Sequence, residues 1–373
     1  MKKFLSVLAA LTLSVSMLAG CGNKTNQTEP SAVPESSQAA ESAPETVSAA
    51  PEASEQESST AETAETAAVT GEETTVRVMA LKGPTAMGMV KLMDTAEAGP
   101  VNGNAYEFTI AASADEVTPK LVQGDADIAA VPANLASVLY NNTEGKIQVL
   151  AVNTLGVLYI VESGDTVQSA ADLKGKTIYA SGKGSTPEYA LNYILSSNGI
   201  DPEKDVTIEW KSEHSECVAA LASDEGGIAM LPQPFVTTAQ SKNDKIRIAL
   251  DMTKEWDALQ KDAENPSALI TGVVVVRSDF AAENPDAVNA FLDSYKESVD
   301  YVNGNTEDAA ALIEKYDIVP AAVAVKALPY CNITFIEGSE MKEKLSGYLS
   351  VLSDQNPKAV GGTLPADDFY YSR

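Results

Sequence analysis

The chain has little of what most catalytic and nucleic-acid-binding proteins need. It carries a single histidine, His214, and three cysteines in 373 residues. A zinc site built from nitrogen and sulfur ligands therefore finds too few donors. Basic residues are scarce: 26 Lys and Arg stand against 53 Asp and Glu, a formal charge of -27. So acidic a surface repels phosphate backbones, which excludes nucleic acid as a partner. There is no Gly-x-Ser-x-Gly elbow, no P-loop and no His-Glu-x-x-His pair, so the familiar catalytic motifs are missing. No cofactor or metal is expected.

What is present begins at the N-terminus. Lys2 and Lys3 precede a short apolar stretch from Phe4 to Met17, which ends in Leu18-Ala19-Gly20-Cys21. That is the layout of an exported signal segment, too short and too abruptly polar at its end for a membrane span. The tetrapeptide resembles the bacterial lipobox, and the resemblance implies that Cys21 is the lipid-bearing residue after cleavage. Residues 22–73 hold eleven Glu, one Lys and no aromatic residue. Such a composition buries too little apolar surface to order itself and reads as an acidic Ser/Ala/Glu/Pro tether.

Residues 74–373 form the candidate folded body. Removing +2 for the signal lysines and -10 for the tether from -27 leaves it a charge of -19. Cys217 and Cys331 are the remaining cysteines, and a body this large needs no disulfide, so two buried thiols are expected.

The body repeats itself. Leu121 to Leu135 aligns without gaps on Leu221 to Phe235 at an offset of 100, sharing an apolar helix, a polar turn, a short buried run and a closing proline, Pro132 or Pro232. Upstream, Val76 to Thr85 aligns with Thr177 to Thr186 at an offset of 101, and both carry a Lys-Gly-x-Thr turn between a strand and a helix. Two matches in the same order point to two similar α/β lobes. In such sheets, ligands sit at the carboxyl ends of the strands. The long apolar runs Ile147 to Val161 and Ala268 to Val276 read as the two crossings between lobes. The expected division is lobe 1 over 74–160 and 268–373, and lobe 2 over 161–267. Late helices, opened by Asn284-Pro285, are expected to buttress the first lobe.

These features, with Gly124-Asp-Ala-Asp-Ile-Ala129 and Asp172-Leu-Lys-Gly-Lys-Thr-Ile178, resemble the bacterial ABC-transporter solute-binding lipoproteins. The likeness is greatest to the nitrate, sulfonate, taurine and thiamine-precursor group. The resemblance implies a two-lobed, type II periplasmic-binding-protein-like fold with hinge-linked lobes and an interlobe cleft. It implies no catalysis, an extracytoplasmic monomer held at the cell membrane through Cys21, and delivery of one small solute to an ABC permease and its ATPase. A sensor lipoprotein and a cleft enzyme of the same fold are the alternatives.

The candidate ligand residues follow from the loops. Lys82, Gly83, Pro84 and Thr85 precede one helix, and Gly184, Ser185 and Thr186 precede its counterpart, where free N–H groups favour an anionic or polar ligand. Thr85 serves equally well as a ligand contact or as the helix N-cap. Ser113, Asn134, Thr154 and Gln233 lie at other strand ends, as ligand contacts or as partners of loop backbone. Lys82 and Lys183 suit a sulfonate or carboxylate, whereas stacking on Tyr189, Trp210 or Trp256 suits a pyrimidine; the sequence leaves that choice open.

Overall fold

The computed structural model describes residues 73–263 and 267–373. The signal segment, Cys21 and the tether up to residue 72 lie outside the described residues. Within the compact unit Ala67–Arg373, chain order opens with β1 (Thr74–Leu81), α1 (Pro84–Met87), α2 (Val90–Ala96), β2 (Asn104–Ala111), α3 (Ala114–Gln123), β3 (Ile128–Pro132), α4 (Ala133–Asn142) and β4 (Ile147–Leu155). A second series follows: β5 (Leu158–Ser163), β6 (Thr177–Ser181), α5 (Thr186–Ser197), β7 (Thr207–Lys211), α6 (His214–Ser223), β8 (Ile228–Pro232), α7 (Phe235–Lys242), β9 (Ile246–Asp251) and α8 (Met252–Gln260). The chain closes with β10 (Ile270–Arg277), α9 (Ser278–Glu283), α10 (Pro285–Gly304), α11 (Thr306–Lys315), α12 (Ala321–Ala327), β11 (Ile333–Ile336) and α13 (Gly338–Gln355).

The internal repeat is visible in the elements. Helices α3 and α6, and strands β3 and β8, begin and end 100 residues apart. Their starts are built alike: Ser113 with Glu116 and Glu213 with Glu216 form capping boxes at the same offset. Each box satisfies backbone donors that a helix start leaves free. Strands β3 and β8 are short and apolar because both of their faces are covered, as expected of central strands.

The strands make two sheets, ordered β11-β4-β10-β3-β1-β2 and β7-β6-β8-β5-β9. In the first, β1 lies parallel to β2 and β3, and β10 runs antiparallel between β3 and β4. In the second, β6 lies parallel to β7 and β8, and β5 runs antiparallel between β8 and β9. The equivalent antiparallel strands are exchanged along the chain: β5 leaves the first sheet to complete the second, and β10 returns to complete the first. The first crossing is at Gly156 and Val157, so residues 158–160 sit in the second sheet.

One apolar core runs through both lobes, from Val131 and Val273 in the first sheet to Ile160, Ile178 and Met230 in the second. At its centre Trp256 is fully buried, with the rings of Tyr193 and Tyr348 at 4.6 and 5.4 Å. The indole N–H donates to the carbonyl of Ser267 at 3.0 Å, so Trp256 is a core residue and not a stacking platform. Helices α10, α11 and α12 cover the far face of the first sheet. Helix α13 does more than buttress that lobe, since it also contacts α5 of the second. Cys217 and Cys331 are free and buried.

A buried carboxylate ties down the second lobe. Glu162 is fully buried; it accepts from the Thr166 hydroxyl at 2.5 Å and N–H at 2.8 Å, from the Val167 N–H at 3.2 Å, and from the Arg247 guanidinium at 2.8 Å. Burial alone would push its acidity toward the neutral form, but these donors outweigh that and hold Glu162 below the usual carboxylate range. A depressed folded-state pKa stabilises the fold at neutral pH and loses that contribution as pH falls through the carboxylate range. Glu162→Gln is expected to cost about 1–3 kcal/mol at pH 7, with the deficit relative to the parent shrinking below about pH 4. Urea denaturation across pH checks this; a pH-independent deficit would contradict it.

Candidate functional site

A cavity of about 140 Å³ lies where the loops of the two lobes face each other. From the first lobe it is lined by Lys82 to Thr85 after β1, by Ser113 after β2, and by Thr154 and Thr271 near the crossings. From the second it is lined by Ser181, Gly182 and Ser185 around the end of β6, by Ser212 to His214 after β7, and by Phe235 after β8. The loops after β1, β2, β6, β7 and β8 stand at carboxyl ends of parallel strands, where doubly wound sheets place ligands.

Of the residues proposed from sequence, Lys82, Gly83, Pro84, Thr85, Ser113, Thr154 and Ser185 are brought together around this cavity. Four are not among its lining. Thr186 is fully buried and donates to Asn134 Oδ1 at 3.2 Å. Asn134, equally buried, donates to the carbonyls of Ala359 at 3.1 Å and Gly184 at 3.4 Å. These two side chains link α4 of one lobe to the α5 entry of the other. Gln233 turns back to accept from the Thr237 hydroxyl at 2.9 Å, and Gly184 is exposed on the loop.

Thr85 lines the cavity but is not the helix N-cap. The N-cap of α1 is Gly83, and the Thr85 hydroxyl donates to the carbonyl of Leu81 at 2.8 Å. Helix α1 starts at Pro84 and is a single turn, so little dipole stands behind it. Lys82 directs its ammonium to Asp317, 3.4 Å away at the mouth; Lys183 is exposed.

The second loop is shaped by backbone conformation. Gly182 has a φ of +81°, and a Cβ there would stand 2.9 Å from Pro187 Cγ, so only glycine fits without strain. Its carbonyl accepts from the Ser185 hydroxyl at 2.8 Å. Ser185 is the α5 N-cap residue and Pro187 sits in the first turn, where its missing N–H costs nothing.

Sequence reasoning missed Ser181, His214, Phe235 and Thr271. Ser181 Oγ lies 2.5 Å from His214 Nδ1, and the imidazole ring faces Phe235 with centroids 5.0 Å apart. Burial lowers the His214 pKa to about 4, so the ring is neutral at physiological pH. The Thr271 hydroxyl is buried without a partner among the described residues. The available signal for His214 was the repeat itself: Ser113 moved by 100 residues is Glu213, the residue before it. Together these groups give a small chamber walled by prolines and Phe235 and studded with hydroxyls, suited to enclosing a compact solute. Among the described residues, no cluster of His, Cys, Asp and Glu is placed to hold a metal ion.

Close packing defines the chamber floor. A Cβ on Gly272 would lie 2.7 Å from Asn153 Oδ1 and 3.0 Å from Thr85 Cγ2. Gly272→Ala is therefore expected to cost about 1–3 kcal/mol through overpacking, measured by urea denaturation. Unchanged stability would show that the floor yields freely.

The fold recurs in solved proteins. An ABC transporter protein from Parabacteroides distasonis superimposes with a TM-score of 0.66 at 22% identity, covering 81% of this chain and 100% of that one. The periplasmic aliphatic sulphonate binding protein SsuA from Escherichia coli gives 0.62 at 16% identity, over 80% and 92%. The nitrate-binding protein NrtA from Synechocystis PCC 6803 gives 0.55 at 17%, over 72% and 75%. These likenesses establish the two-lobed α/β fold. Among curated relatives, a binding protein of Brucella abortus is 27% identical over 178 residues, 48% of this chain and 52% of its own length. The chain thus spans about half the length of the curated relatives it matches. A family model described as "ABC transporter, phosphonate, periplasmic substrate-binding protein" matches residues 96–326, well over half of the chain and parts of both lobes, and the chain belongs to that family.

Proposed function

We propose that this protein is the extracytoplasmic solute-binding component of an ABC importer: it encloses one small solute between its lobes and presents the closed form to a membrane permease with its ATPase. The observation that carries the reading is the interlobe chamber, whose walls come from equivalent strand ends of both lobes. A solute bound there touches both lobes, so closure is favoured by the solute and is available for a permease to read. The relatives named for sulphonate and nitrate binding support a small polar or organic solute, with sulfonate-like and thiamine-precursor-like compounds as the first classes to test. Binding without catalysis accords with the cleft: its one histidine leans on a serine, and among the described residues no third group orients that pair as hydrolysis would require.

In this reading the protein works as a monomer on the outer face of the cell membrane, held by acyl chains on Cys21 and spaced from the surface by residues 22–73. No helix among the described residues is long and apolar enough to cross a membrane, so the lipid would supply the attachment. Cys21→Ala is expected to move the protein from the membrane fraction to the soluble extracytoplasmic fraction, and persistence with membranes would contradict the anchor. Cross-linking of the full-length protein in cells, read by mass spectrometry, is expected to recover an ABC permease. Recovery of a sensor kinase and no permease would overturn the transport reading.

A further inference from the structure

The solute-binding reading is deepened here by the charge of the chamber. Four helices of ten or more residues begin at its edge; α3, α5 and α6 are closed by the protein's own glutamates, while α4, which follows Pro132, has no acidic residue in its first turn. The Glu116 carboxylate accepts from the Ser113 N–H at 3.2 Å, Glu188 from the Gly184 N–H at 2.5 Å, and Glu216 from the Ser212 N–H at 2.8 Å. An oxyanion seeking those donors meets a negative charge already in place. The lining contains no arginine; its one lysine, Lys82, is paired outward with Asp317 and is offset by Glu213. The net charge of the chain opposes anion capture as well.

The neutral groups point to a definite alternative. Ser181 is 3% exposed, and its hydroxyl lies 2.5 Å from His214 Nδ1, with the Cys217 thiol as a second hydrogen-bonding neighbour. With the Ser181 hydroxyl donating to Nδ1, the stronger of its two acceptors, the imidazole proton resides on Nε2. Nε2 has no protein partner among the described residues, and the His214 ring lines the chamber. Around it stand Phe235, Pro84, Pro132, Pro187 and Pro232, a flat apolar wall. The volume is close to that of a cavity that admits benzene.

We propose that the solute is a small uncharged ring bearing a hydrogen-bond acceptor, and that the Nε2–H of His214, held in that tautomer by Ser181, is the donor that selects it. This departs from the phosphonate in the family's description, and it rests on the solute-binding reading above.

The lone histidine makes the test direct. Full-length protein without a histidine tag, labelled with 15N and 13C histidine, gives one imidazole signal set at pH 7.5. The expected spectrum is a neutral ring protonated at Nε2. Benzamide is expected to shift it, benzoate, its charged counterpart of the same shape, to bind at least about tenfold more weakly, and methylphosphonate to leave it unmoved. An imidazolium or an Nδ1–H tautomer overturns the inference, as does silence toward benzamide at 10-fold excess over the benzoate range, roughly 10 mM. A shift with methylphosphonate would overturn only the charge assignment and leave solute binding standing, which the permease cross-link judges separately. Thermal shift adds a check on the residue: H214Q, which keeps an N–H donor, should retain most of the benzamide stabilisation, and H214F should lose it. Equal retention in both would remove His214 from the site.

Discussion

The exchange of one strand between the lobes is the constraint on which the rest of the molecule depends. Strand β5 follows β4 out of the first sheet and pairs between β8 and β9, while β10 follows α8 out of the second and pairs between β3 and β4. Each sheet is completed only by chain that has come from the other. The two crossings hold the carboxyl ends of both parallel sets of strands toward one gap. The Lys82 to Thr85 turn and the Gly182 to Ser185 turn face each other for that reason, and relative motion of the lobes must be absorbed near residues 156 and 269.

Side chains across the gap then decide how the lobes meet. Asn134 and Thr186 join α4 to the start of α5 deep inside the molecule, and a continuous apolar core with Trp256 and Tyr348 lies behind them. Toward solvent the gap opens into the chamber, three of whose helix starts are closed by Glu116, Glu188 and Glu216. The same self-capping that stabilises these helices sets a carboxylate beside three of the helix starts that face the chamber. Local folding chemistry and ligand preference are coupled through three carboxylates.

Much of this was legible in the sequence because the repeat is nearly free of insertions. The offset of 100 placed α3 with α6 and β3 with β8, and the turns after β1 and β6 followed from their glycines. Direction was harder to read. Thr186 and Asn134 stand in the first helical turn, just past loop positions like those of Ser185 and Ser113, yet they turn inward, because the opposite lobe supplies a carbonyl or an amide at that depth. That is a property of two lobes meeting, absent from either strand-loop-helix unit alone. Thr85 shows a smaller case: Gly83 and Pro84 start the turn two residues earlier than the spacing implied, leaving the threonine hydroxyl to bond back to Leu81. His214 stood in a polar stretch that read as a plain helix start; its partner Ser181 is 33 residues away, and only β6 lying beside β7 brings them together.

The central claim is that one small solute is enclosed between the lobes and touches both. A crystal structure of the protein with the compound that most raises its thermal midpoint tests this directly. The account predicts density between the Lys82 to Thr85 turn and the pair Ser181 and His214, against Phe235. A compound bound to one lobe alone, or in a surface groove away from this chamber, would contradict it.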